Sequence, residues 1–147
     1  MSSAADTSNG FVGALDVGER RIGVALASSI AKFPAPFDTV DRQKVSDIAA
    51  WIKDFVVKNS VDVLVVGLPR DMNGNETDQT RAVLTLVAEI EPAISIPIVM
   101  QDEAVTSIDA EARLKSRGKP YEKADIDAEA ACIILQDYLD SQDRNTA

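Results

Sequence analysis

The chain of 147 residues has no histidine and one cysteine, Cys132. Without imidazole, Ser-His-Asp and Cys-His nucleophilic arrangements are impossible, and so is a zinc site built on histidine. Any catalysis must come from carboxylates, hydroxyls, Lys or Arg, or from a hard cation held by oxygen ligands. A lone cysteine excludes an internal disulfide and makes a reducing, cytoplasmic setting the expectation. No apolar run approaches the roughly 20 residues that a membrane helix needs, so no membrane partner is expected. The first nine residues, MSSAADTSN, have no basic start and no apolar stretch. That argues against a secretory signal and predicts a flexible terminus. The seven glycines are not clustered, and no aromatic platform for stacking bases can be read.

What is present suits a globular domain: 46% hydrophobic and 27% charged residues are enough for one sizeable core. No repeat or linker interrupts it, so a single domain is expected over residues 10–140, with residues 1–9 and 141–147 as flexible termini. The net charge of -9 argues mildly against non-specific binding to nucleic acid. It leaves open phosphate binding through a divalent metal and a local basic patch.

Phe11 to Leu15 and Ile22 to Ala27 are short apolar runs joined by DVGERR, a hairpin with Gly18 in its turn. A third strand is expected within Phe33 to Val40, where Pro34 and Pro36 suggest an edge. From Val45 the period becomes helical through Ile48, Ile52, Phe55 and Val56, with Asn59 as a stop. VDVLVVGLP then reads as a parallel strand covered on both faces. The polar loop RDMNGNETDQ leads to a helix carrying Val83, Leu86, Val87 and Ile90, and a strand follows from Ile96 to Met100. Thr106 to Asp109 has capping-box spacing and starts a third helix. RGKPYEK breaks the chain before a last helix from Ile126 to Leu139. A hairpin followed by βα crossovers implies an α/β fold, a mixed five-stranded sheet with helices on both faces. Ribonuclease H-like architecture has this order of elements.

Sites in open α/β sheets form at the carboxyl ends of parallel strands. Asp16 ends the first strand, Gly67-Leu68-Pro69 the fourth, and Asp102 and Glu103 the fifth. Counting by three and four from Asp127 gives Ala130, Ala131, Ile134 and Tyr138, so this acid heads the apolar stripe of its helix. Each acid alone has an ordinary explanation. Asp after a strand is usually a turn residue, Asp at a helix start favours the terminus, and an Asp-Glu pair in a loop is usually solvated. Together on one edge they match a site for Mg²⁺ or Mn²⁺. The basic segment from Lys115 to Lys123 reads as a solvated face, Cys132 as a small core residue, and Trp51 as a partly exposed helix residue.

ALDVGERRIGVAL, VVGLPRDMNG, QDEAVTS and IDAEAACIILQDYLD, in this order and spacing, resemble the YqgF family of ribonuclease H-like proteins. The resemblance spans about Gly10 to Asp140. It implies a Holliday-junction resolvase or a nuclease processing the 5′ end of pre-16S rRNA. It also implies that Asp16, Glu103 and Asp127 are the catalytic and metal-binding acids. Two positions depart from the family pattern: Ala104 stands where Arg is usual after the acidic pair, and Asn73 where Asp is usual before the loop glycine. An Arg at position 104 would contact phosphate or lock Glu103.

The leading expectation is therefore a metal-dependent nuclease in ribosome biogenesis, acting on precursor rRNA or branched DNA as a monomer or weak dimer. Arg20, Arg21, Arg70, Asn73, Gly74 and Thr106 are its expected substrate contacts, and ribosome-assembly factors are possible partners. An actin-type or sugar-kinase-type phosphotransferase shares the D-x-G start but needs two such domains and a second glycine-rich loop. A non-catalytic module binding RNA or an assembly factor is the third reading, which Ala104 and the acidic charge favour.

Overall fold

The computed structural model describes residues 10–103 and 107–146. Five strands, β1 (Phe11–Val17), β2 (Arg21–Ser28), β3 (Ala35–Asp41), β4 (Val61–Pro69) and β5 (Ile98–Glu103), form one sheet in the order β3-β2-β1-β4-β5. The β1-β2 and β2-β3 pairs are antiparallel, whereas β1-β4 and β4-β5 are parallel. The mixed five-stranded sheet is therefore the one expected. Pro36 pairs opposite Ala25 at a register shift, which an edge strand tolerates because one side of it needs no ladder.

Among the described residues α1 (Ile48–Lys58), α2 (Asp78–Ile90) and α4 (Lys123–Thr146) cover the sheet, and α3 (Ser107–Ser116) packs on α4. Strand alternation sends two sets of side chains to two cores. Leu15, Val24 and Val66 pack with Ile52 and Phe55 of α1 and Leu86 and Ile90 of α2. Val12, Ala14, Ala25 and Val65 pack with Ala131, Ile134 and Leu135 of α4 on the opposite face.

Several boundaries differ from the expected ones, each for a local reason. Asp47 accepts a hydrogen bond from the Ala50 amide and starts α1 there, so Val45 packs on the core from outside the helix. The side chains of Thr77 and Thr80 form a reciprocal capping box that starts α2 inside the expected loop. β5 is paired with β4 as far as Glu103, so Asp102 and Glu103 belong to the strand and not to the loop after it. α4 runs past Asp140 to Thr146 because neither Gly nor Pro follows Leu139 to stop it; residues 141–146, expected as a flexible terminus, are helical. The expected capping residue Thr106, and Ala104, lie outside the described residues.

Candidate active site

Asp16 follows Val12 and Ala14 on β1, so it points to the α4 face. Partners in register share a face, and the register of β4 with β5 separates the two acids at the end of β5. Asp102 lies opposite Leu68, which belongs to the α1-α2 core, and Glu103 lies opposite Pro69. Glu103 thus shares the face of Asp16. The side chain of Asp102 goes the other way and accepts from Arg70 Nε at 2.9 Å. Asp16 and Glu103 line one narrow cleft of about 60 Å³ together with Gly67, Pro69, Gln79 and Ile134.

Asp127 reaches this edge from α4, and two glycines let the helix come so close. Gly23 is the β2 partner of Asp16, and a Cβ on it would stand 1.8 Å from the carbonyl oxygen of Asp127. A Cβ on Gly67 would stand 2.4 Å from Ile134 Cδ1. Ala128, Ala130 and Ala131 are buried on the same stretch of α4, so small residues lie on both sides of the contact. Glycine inside a strand pattern is the signal for such an approach, and it stands in the sequence at both positions. Reasoning from the helix alone finds the alanines and overlooks the glycines that face them.

Burial first, and the negative charge of Asp127 second, push the Asp16 carboxyl up to about 6. Asp127 itself is paired: Arg21 Nε donates to its Oδ2 at 2.5 Å, with both side chains part-buried. Sequence reasoning placed Arg21 at the mouth as a phosphate contact and gave no sign of this pair. The other expected contacts also have protein partners. Arg20 lies 3.6 Å from Asp41, and Arg70 is held by Asp102. Asn73 and Gly74 sit in an exposed turn closed by Asp71, whose Oδ1 accepts from the Asn73 and Asn75 amides. Those amide bonds, that of Asn75 first, hold the Asp71 carboxyl below its usual range. Gly74 has φ +81°, a conformation that glycine adopts at little cost. Thr106 lies outside the described residues.

A second carboxylate on α4 escaped the sequence reading. Glu129 is fully buried, and it accepts from Arg117 Nη1 and Nη2 at 2.8 and 3.0 Å and from Arg113 Nη1 at 3.3 Å. It ties α3 and the turn after it to α4. Part of the basic segment read as a solvated face is therefore structural.

The donors fit a hard cation in kind. All three acids offer oxygen, and Asp16 is a part-buried carboxylate beside a like charge. Among the described residues no three acidic side chains stand together as a ready-made ligand group.

A sheet in this order, covered on both faces, with two acids in one cleft at its carboxyl edge, defines a ribonuclease H-like α/β protein. The chain belongs to the RuvX (YqgF) family: the family model, described as Holliday junction resolvase, matches residues 10–141. A relative from Chloroflexus aurantiacus named "Putative pre-16S rRNA nuclease" is 43% identical over 134 residues, which are 90% of this chain and 88% of that protein. One from a Roseiflexus species, with the same name, is 44% identical over 135 residues, 90% of this chain and 96% of that one. Among solved structures, T. thermophilus RuvC in complex with Holliday junction substrate matches with a TM-score of 0.60 at 14% identity, over 91% of this chain and 97% of that one. Fowlpox virus resolvase in complex with Holliday junction DNA matches at 0.51 and 9%, over 88% and 98%. At such identities the likeness is one of fold.

Proposed function

We propose that the protein is a metal-dependent nuclease that hydrolyses phosphodiester bonds in structured nucleic acid, with 5′-end processing of pre-16S rRNA as its role. One observation carries the reading: Asp16 and Glu103 line a single cleft at the carboxyl edge of the sheet, within reach of the charge of Asp127. The names of the relatives support the substrate. The family description and the fold of the resolvases support a second reading, cleavage of four-way DNA junctions by the same site.

On this reading Asp16 and Glu103 would hold Mg²⁺ or Mn²⁺, and Asp127 would join them when Arg21 lets go. The ion neutralises charge on the phosphoryl group and lowers the pKa of the attacking water. Arg21, once released, is a cation beside the scissile phosphate, and Arg20 and Arg70 are further contacts to the nucleic-acid backbone once they leave Asp41 and Asp102. The exposed turn at Asn73 and Gly74 contacts the strand beyond. The site of action is the cytoplasm. Among the described residues no helix is long and apolar enough to cross a membrane, and Cys132 is a buried free thiol.

The test is cleavage of precursor rRNA and four-way junctions side by side, with Mg²⁺, with Mn²⁺ and with EDTA. Asp16→Asn, Glu103→Gln and Asp127→Asn each abolish cleavage in folded protein if the assignment holds. Full activity in EDTA, or in any of the three variants, overturns it.

A further inference from the structure

Beside the acid cleft lies a larger one of about 630 Å³, between the β1-β2 turn and the first turns of α2. Val17 and Gln79 line both clefts, so the two are neighbours. The volume is that of a small-molecule pocket. Val17 and Ala82 give it apolar wall, Glu19 and Asp78 bring carboxylates, and Gln79 offers an amide. Arg42 is the cation of the lining, and its Nη1 donates to the Gly18 carbonyl at 2.9 Å. Asp78 is paired through its Oδ1 with Arg81, so the acids and guanidinium groups around the cleft balance and no surplus of positive charge draws a phosphate into it. The carboxylates suit a flat, uncharged group with amino protons to donate.

We propose that this cleft holds the nucleobase next to the phosphate bound at Asp16 and Glu103, and that it prefers a base carrying an exocyclic amino group. The inference rests on the nuclease reading, which places the phosphate next door. Carboxylates accept from the cytosine or adenine amino group, and a side-chain amide both donates to and accepts from a base edge. Uracil and thymine offer these acceptors a single N3–H set between two carbonyls, where the amino group of cytosine or adenine offers two protons. A base enters such a pocket only when unpaired. The cleft therefore selects a splayed, single-stranded nucleotide at the cut.

Ala82 lies on the exposed face of α2, so Ala82→Phe fills the cleft without entering the core. The experiment measures binding of fluorescent ten-nucleotide oligocytidine and oligouridine by anisotropy, in EDTA and at one low salt concentration. These pyrimidines are of one size and differ at the base in amino against carbonyl at C4 and in a bare N3 against N3–H. The wild-type protein is expected to bind oligocytidine at least about fivefold more tightly, the low end for one specific base contact. Ala82→Phe is expected to erase the difference while its thermal melt stays that of the wild type, and Gln79→Ala to narrow it. Equal binding of both oligomers by the wild type, or a preference that survives Ala82→Phe, overturns the proposal. Cleavage of precursor rRNA is followed in parallel with Mg²⁺. A base preference without cleavage keeps the pocket and removes the nuclease reading, and cleavage without a preference does the reverse.

Discussion

At Asp16 the folded protein holds a proton to about pH 6, against an ordinary 3.8. The unfolded chain binds fewer protons in between, so stability falls as pH rises through that window and stays reduced above it. A shift of this size corresponds to about 3 kcal/mol at most. Asp16→Asn keeps the shape and removes the charge. In EDTA it is expected to melt higher than the wild type at pH 8 and nearly level with it at pH 4; equal melting at both would show that Asp16 carries no such penalty. The position of Asp16 was legible because an acid ending an apolar strand is unusual. Glu103 over Asp102 was legible only through the family resemblance, since strand register, which separates their faces, does not show in one sequence. The Arg21–Asp127 pair was not legible at all: it joins residues 106 apart, and no spacing rule links them.

The approach of α4 to β2 turns on a missing side chain, and Gly23→Ala tests it. The new Cβ would meet backbone of Asp127, which cannot swing aside as a flexible side chain does. A loss of at least about 1–3 kcal/mol is expected, as for overpacked cores. Denaturant unfolding measures it, and an unchanged midpoint would mean that the helix sits farther out. The attachment of α3 follows a different rule. Ala110 is the buried hydrophobic residue of that helix and Ile108 is exposed, so apolar burial alone holds it weakly. The Glu129 pairs supply the rest. Arg113 and Arg117 are about half exposed and return to water if the acid is removed, whereas Glu129 has no such escape. Arg113→Ala combined with Arg117→Ala is therefore expected to cost roughly 3–5 kcal/mol, the range for a stranded buried charge. Glu129→Met should cost much less, and the reverse order in denaturant unfolding would refute this account. Among the elements, long periodic stretches such as β4 and α2 were legible. The ends of β5 and α4 were not, because ladder pairing extends the first and only an absent breaker extends the second.

Across the whole molecule, a charge of -9 limits how strongly any nucleic acid is drawn in, so affinity must come from a few local cations. Three phosphate contacts, from Arg20, Arg21 and Arg70, give a log–log salt slope for duplex binding of about -3. A titration of binding against salt concentration measures it. A slope near -6 would bring further cations into the interface, with the lysines of the segment Lys115 to Lys123 the first candidates. The order of elements and the two-faced sheet were readable at this scale because hydrophobic period and strand polarity are written locally. Which clefts open between the elements was not. Trp51 is the only tryptophan of the chain, and its ring stacks on Phe55 with centroids 5.9 Å apart, packed on the α1-α2 core. The acids lie across the sheet from it. Tryptophan emission therefore belongs to one known place, silent toward a ligand at Asp16 and sensitive to whether α1 is seated. Fluorescence then follows refolding without interference from titrated metal, and an extrinsic label is needed to see the metal bind.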